Sequence, residues 1–165
     1  MDYVAYYDSP VGLLKLIADD TAIIELSFEK NSEDNIPINS ISRSTSPIIN
    51  QCIVELNEYF TGNREVFNVQ IKPLGTPFQE RVWNKLLSIS FAKTVSYASL
   101  ATELGDIKSI RAVGTANGKN PIAILIPCHR VIGSNGHLVG YGGGLWRKKW
   151  LLDFESKRKQ GELFG

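Results

Sequence analysis

Apolar and polar positions alternate three times near the start of the chain. The runs are "DYVAYYDS" (2–9), "GLLKLIAD" (12–19) and "AIIELSFE" (22–29), separated by the turn-forming "SPVG" and "DDT". A period of two predicts strands, and the short breaks predict an antiparallel meander. The pattern then lapses: "NSEDNIPINSISRSTS" (31–46) is polar and reads as a long loop. It resumes with a period near 3.6 in "SPIINQCIVELNEYFTGN" (46–63), where Ile48, Ile49, Cys52, Ile53, Leu56 and Tyr59 share one face. Ser46 is the expected N-cap and Gly62 the stop. "EVFNVQI" (65–71) reads as one further strand.

The second half is predominantly helical in period. "KPLGTPFQ" (72–79) leads into a helix, with Thr76 as N-cap and Pro77 in the first turn, where a missing N–H costs nothing. Phe78, Val82, Leu86 and Leu87 give that helix its apolar face. "KTVSYASLATELGD" (93–106) predicts a short helix capped by Ser96 and closed by Gly105. "IKSIRAVGTANGKNP" (107–121) predicts another, ending at Gly118 and Asn120-Pro121. Two short helices around a glycine turn fit a helix-turn-helix. The apolar "IAILIPCHRVIG" (122–133), a glycine-rich loop and a final helix, "LWRKKWLLDFESKRKQ" (145–160), complete the chain. The change of period divides it into an N-terminal α/β domain over 1–74 and a C-terminal domain over 75–165.

Charge sharpens this division. Residues 1–75 carry five basic against eleven acidic side chains, a net −6, whereas residues 76–165 carry thirteen against six, a net +7. A basic half beside an acidic one points to a polyanionic partner for the former. The sequence has no run of about 18 apolar residues, so no transmembrane span is expected. The N-terminus has no basic stretch followed by an apolar one, so a cytosolic protein is expected. Cys52 and Cys128 are far apart and form no CxxC pair, which predicts two free thiols. Cys52 lies on a helical apolar face and reads as a small buried hydrophobe.

Cys128 is different. In "ILIPCHRV" (124–131) it follows a proline and precedes His129 and Arg130. A thiol becomes a nucleophile when a base or nearby positive charge favours the thiolate. His129 is the candidate base. Neighbouring side chains point in different directions, so the proton is expected to pass through a water. A base also needs a group to hold its tautomer, for which Glu155 and Asp153 on the last helix are candidates. Arg130 acquires no role from the sequence. His129 and His137 with one cysteine do not have the spacing of a zinc site. On these residues alone, a Cys–His hydrolase acting on an ester or peptide remains an alternative.

The surrounding residues narrow the choice. "GTPFQERVW" (75–83), "VSYASLA" (95–101), "IRAVGTANGKNP" (110–121), "ILIPCHRVIG" (124–133) and "GYGGGLWRKKWLL" (140–152) resemble the O6-alkylguanine-DNA alkyltransferase family. The resemblance covers nearly the whole second half; the first half matches in layout only. It implies an α/β (α+β) fold: a ribonuclease-H-like antiparallel sheet with a helix, then a mostly helical, winged-helix-like domain. It implies that Cys128 accepts the alkyl group irreversibly, once per molecule, from a flipped guanine, with His129, Glu155 and Tyr141 completing the catalytic set. Arg111, Tyr97, Ala112, Gly114 and Asn120 would contact DNA or position the contact. Pro127, Val131, Gly142 and Gly143 would line the base pocket. The partner would be double-stranded DNA carrying O6-alkylguanine, entered from the minor groove with little sequence preference and bound by a monomer. The structural zinc that some members of the family carry in the N-terminal domain is not expected, because residues 1–75 hold no histidine and one cysteine; no cofactor is implied. A relative that senses lesions without chemistry is the remaining alternative.

Overall fold

The computed structural model describes residues 2–29, 46–138 and 140–164, with side chains through Lys159. The chain forms two compact units. One comprises residues 1–74 together with 121–123; the other comprises 75–120 and 124–165.

In the first unit the alternating runs form β1 (Tyr3–Ser9), β2 (Gly12–Ala18) and β3 (Ile23–Phe28), an antiparallel sheet in the order β1-β2-β3. The β1–β2 register runs from Tyr3 opposite Ala18 to Ser9 opposite Gly12. Gly12 sits at a φ of +106°, which the tight turn requires and a side chain would resist. Ala5, Leu14, Leu16, Ile23 and Leu26 are buried. Helix α1 (Pro47–Phe60) covers the sheet with Ile49, Cys52, Leu56 and Tyr59. Ser46 caps it as expected, its hydroxyl accepting from the Ile49 N–H at 3.2 Å. Gly62, at φ +85°, follows the helix end. Cys52 is fully buried and burial pushes its thiol up to about 12, so it is inert at neutral pH.

The loop assigned to 31–46 lies outside the described residues except for Ser46. The strand predicted over 65–71 does not form; only Ile71 makes an isolated parallel bridge, to Ile23. The reason is local. The Asn68 and Val69 N–H groups donate to the buried Glu55 carboxylate at 2.7 and 3.1 Å, so they are not available to a ladder. Residues 121–123 add to this unit: the Leu26 N–H donates to Pro121 O, and the Ala123 N–H to Leu26 O, both at 2.9 Å.

The second unit follows the predicted helices. Helix α2 (Pro77–Leu86) opens with a capping box between Thr76 and Gln79, with Pro77 in its first turn. Gly75 is needed here because a Cβ at this position would lie 2.6 Å from Gln79 Oε1 and from the Trp83 ring. Two-residue strand β4 (Val95–Ser96) leads into α3 (Tyr97–Glu103), capped by Ser96. Gly105 at φ +100° and one 3-10 turn, Ile107–Ser109, join α3 to α4 (Ile110–Gly118). This is the predicted helix-turn-helix. Trp83 anchors it from α2, its indole N–H donating to Ala116 O at 2.8 Å. The apolar run before Cys128 is not a strand. It turns repeatedly, with Ile124 at φ +70°, and delivers Cys128–Arg130 as one 3-10 turn. Strand β5 (Val131–Ile132) then pairs in parallel with β4, and α5 (Leu145–Phe164) closes the chain. None of the described helices is long and apolar enough to cross a membrane.

Candidate active site

Cys128 is buried, 6% exposed, in the 3-10 turn that follows Pro127. The turn is held by the Cys128 N–H donating to Ile126 O at 2.7 Å and the Arg130 N–H donating to Pro127 O at 3.0 Å. Side chains radiate outward from such a turn, so the thiol and the next imidazole diverge. His129 has no exposed surface and its Nε2 lies 2.8 Å from Glu155 Oε2. Its Nδ1 is buried and has no hydrogen-bond partner among the described residues. Of the two carboxylates proposed to orient His129, the geometry selects Glu155. Asp153 is exposed and pairs with Lys149 at 2.7 Å.

Arg130, to which the sequence assigned nothing, proves central. It is buried, and its Nε and one terminal nitrogen donate to the two Glu155 oxygens at 2.9 and 3.0 Å. The other terminal nitrogen donates to Ile89 O at 2.7 Å. Its guanidinium carbon lies 5.8 Å from the centroid of the Phe91 ring. Glu155 also accepts from the Ala92 N–H at 3.1 Å. Ala92 adopts φ +64°, a strained conformation for a residue with a Cβ, next to the carboxylate it binds.

These contacts set the charges. Burial alone would raise the Glu155 pKa. The hydrogen bond from His129, then the hydrogen bonds and charge of Arg130, outweigh it and hold the carboxyl well below the usual range. Burial is the largest influence on His129 and lowers its pKa; Glu155 opposes this, while Arg130 and Lys148 reinforce it. His129 is therefore neutral and able to take a proton. Burial also raises the Cys128 thiol, opposed by hydrogen bonding with Asn120, the charge of Lys148 and a hydrogen bond with Tyr141.

Lys148 is the second residue that the sequence reading missed. It has no exposed surface, and its Nζ donates to Gly140 O at 3.3 Å and to the Tyr97 hydroxyl at 3.5 Å. Burial brings its pKa down to about 8. A signal for it existed: Lys148, Leu151 and Glu155 are spaced i, i+3, i+7, which places all three on the inner stripe of α5.

The remaining predicted residues fall into two groups. Tyr141 and Asn120 reach the thiol; burial, its largest influence, raises the Tyr141 hydroxyl well above its ordinary value. Asn120 also donates from Nδ2 to Ile126 O at 2.8 Å, bracing the Cys128 segment. Pro127 and Val131 are buried on either side of the turn, while Gly142 and Gly143 lie on the loop that carries Tyr141. Arg111 and Ala112 are exposed on α4, and Gly114 is half-buried on the same helix. Tyr97 is half-buried at the start of α3. Among the described residues, no group of three His, Cys, Asp or Glu side chains is placed to hold a metal ion.

A ribonuclease-like sheet domain and a helix-turn-helix domain with a thiol backed by a buried imidazole–carboxylate pair define a class of DNA-directed transferases. Residues 3–73 match the ribonuclease-like domain of 6-O-methylguanine DNA methyltransferase, and residues 77–157 match its DNA binding domain. The chain belongs to the 6-O-methylguanine DNA methyltransferase family. It is 40% identical over 156 residues to a methylated-DNA–protein-cysteine methyltransferase of Mycobacterium bovis, covering 94% of this chain and 93% of the relative. It is 39% identical over 154 residues to one of Haemophilus influenzae, covering 93% and 86%. The crystal structure of the Mycobacterium tuberculosis O6-methylguanine methyltransferase superposes with a TM-score of 0.83 at 39% identity, covering 96% of this chain and 94% of that one. A structure of the M. tuberculosis protein in complex with DNA gives 0.81 at 40% identity, covering 93% and 94%.

Proposed function

We propose that this protein repairs O6-alkylguanine in DNA by moving the alkyl group onto Cys128. The observation that carries the reading is the His129–Glu155–Arg130 cluster, built on the same turn that carries the thiol. It supplies a neutral, oriented base next to a cysteine whose own environment keeps it protonated at rest. The Cys128 proton passes to His129, through a water at the buried Nδ1. The sulfur then attacks the alkyl carbon; the S–C bond forms as the C–O6 bond breaks, and the electron pair leaves on the guanine. Tyr141, within reach of the thiol, donates a proton to the departing base and is reprotonated from the relay. The product is a thioether with no leaving path, so each molecule acts once.

A thiol this deep cannot reach a stacked base, which requires that the nucleotide be flipped out. Arg111, exposed on α4, suits insertion into the gap, and Tyr97 suits the adjacent phosphate. The glycines of α4 support a close approach. A Cβ at Gly118 would meet nothing within 4 Å, and one at Gly114 would meet only the Tyr97 ring, at 3.9 Å. The fold therefore tolerates a side chain at both positions, and their bareness suits a surface outside the molecule. Entry from the minor groove, little sequence preference and action as a monomer belong to the same reading.

The test is mass spectrometry after mixing the protein with a duplex containing O6-methylguanine. One methyl group per molecule on Cys128, absent in Cys128→Ser, is the expected result. Tight binding of the lesion without any mass gain would overturn alkyl transfer and leave a lesion sensor.

A further inference from the structure

Asn117 is buried on the inner face of α4, the helix whose outer face carries Arg111 and Ala112. Its Nδ2 donates to the main-chain carbonyl of Cys128 at 3.3 Å and to the Tyr97 hydroxyl at 3.5 Å. The Cys128 carbonyl can only accept, so it fixes which end of the amide faces it. The other end, Oδ1, is buried and has no hydrogen-bond partner among the described residues. The other buried side chains of this helix are Val113 and Ala116. A half-satisfied amide beside them is a poor way to stabilise a helix–core contact, since its stranded Oδ1 carries a desolvation cost that an apolar side chain avoids. Its retention calls for another purpose.

The connections supply one. Tyr97 and α4 are the two elements through which the proposed function brings DNA to the protein. Both converge on the Asn117 amide, and that amide ends on the main chain of the nucleophile. We infer that Asn117 is a positioning residue for alkyl transfer, holding the Cys128 turn in register with the recognition helix and with the Tyr97 hydroxyl. Tyr97 extends the string by accepting from Lys148 Nζ, whose charge bears on the thiol. Movement of α4 or of the Tyr97 hydroxyl on binding DNA is thus carried to the sulfur through hydrogen bonds rather than through loose packing.

The inference rests on the alkyl-transfer reading, and the experiment separates the two. Single-turnover methyl transfer from an O6-methylguanine duplex is measured at saturating DNA for the wild type, Asn117→Leu and Asn117→Asp. If the wild type transfers nothing, the alkyl-transfer reading has failed. If it transfers, Asn117→Leu is expected to be slower by about tenfold or more, because small misplacements of a reacting group are costly. Its affinity for undamaged duplex should be unchanged. Asn117→Asp presents a carboxylate to the Cys128 carbonyl at high pH and an O–H donor once protonated. Burial raises the pKa of such an acid. The ratio of its rate to that of the wild type should therefore climb between about pH 8 and about pH 6. Wild-type rates in both variants, or a loss whose ratio does not change with pH, would overturn the inference. Should neither variant fold, the Asn117 side-chain amide resonance can be followed in Cys128→Ser as the O6-methylguanine duplex is added. It is expected to shift, and a resonance that stays put would refute the coupling.

Discussion

Replacing Arg130 with methionine removes three buried hydrogen bonds at once: two to the Glu155 carboxylate and one to Ile89 O. Methionine fills much of the same volume, so the cavity cost is small. The dominant cost is a buried carboxylate stripped of its main counter-charge. Breaking a buried pair from one side costs about 3–5 kcal/mol. Against a total stability of about 5–15 kcal/mol, that is a large fraction. For a chain of this size it corresponds to a fall in melting temperature of roughly 6–20 °C, taking about 2–4 °C per kcal/mol.

The pH dependence gives a second reading of the same contact. Glu155 is held below its ordinary value of 4.5 in the folded state. The stability this supplies is fully present above the unfolded pKa and is lost as pH falls through the folded one. With Arg130 gone the folded pKa rises, so the acid limb of the stability curve begins at a higher pH in Arg130→Met. Calorimetry across an acid series measures both effects. The double variant Arg130→Met/Glu155→Gln should be much less destabilised than the sum of its parts, since no charge is left stranded. A single variant within about 1 kcal/mol of the wild type, with an unshifted acid limb, would refute the claim that Arg130 supports Glu155.

Lys148 has a folded pKa of about 8, below its unfolded value, so its burial costs stability below that pH and the cost fades as pH rises toward 10.5. Lys148→Met should therefore melt higher than the wild type at pH 7 while its Cys128 reacts more slowly with iodoacetamide, both read from one preparation. Gly118→Ala should raise helix stability by about 0.5–1 kcal/mol and weaken duplex binding in a fluorescence titration, because its Cβ meets nothing inside the protein. Gly75→Ala should instead lose about 1–3 kcal/mol in denaturant unfolding as its Cβ drives into Trp83 and Gln79.

The periodic elements were legible because each has one buried face: β1 to β3, α1 and α2 follow the apolar spacing closely, whereas the buried stripe of α5 holds Lys148 and Glu155 and its Leu145 and Trp146 are exposed. Where the backbone is satisfied by a side chain, periodicity misleads. Residues 65–71 alternate like a strand, yet Glu55 on α1 takes the N–H groups a ladder would need. The run before Cys128 is apolar enough for a strand, but a left-handed Ile124 turns it. Cys128 and His129 stand out as a pair in the "PCHR" sequence, but the residues alone leave the acid open between Asp153 and Glu155, and the resemblance, not the spacing, points to Glu155. Arg130 and Lys148 were not legible, because charged residues are read as solvent-facing by default. Only the fold shows that an arginine two residues past the thiol meets a glutamate 25 residues on, or that α5 turns a lysine inward.

Arg130 also bears on where the thiol proton stops. A carboxylate that already accepts two charge-assisted bonds from a guanidinium and one from a main-chain N–H is a weak base. Protonating it would break the Arg130 pair in a buried place, where an unpaired guanidinium is costly. Glu155 therefore orients His129 and stabilises its cation but does not take the proton. On the proposed chemistry, the imidazolium forms between Glu155 and the thiolate, with Arg130 fixing the carboxylate and the Lys148 charge on the sulfur side. A hydrolase must reset such an arrangement after every cycle. A protein that ends as a thioether needs the imidazolium only until the departing guanine recovers the proton. The depth of burial, which would slow release and recharging in a recycling enzyme, carries no penalty in one that reacts once.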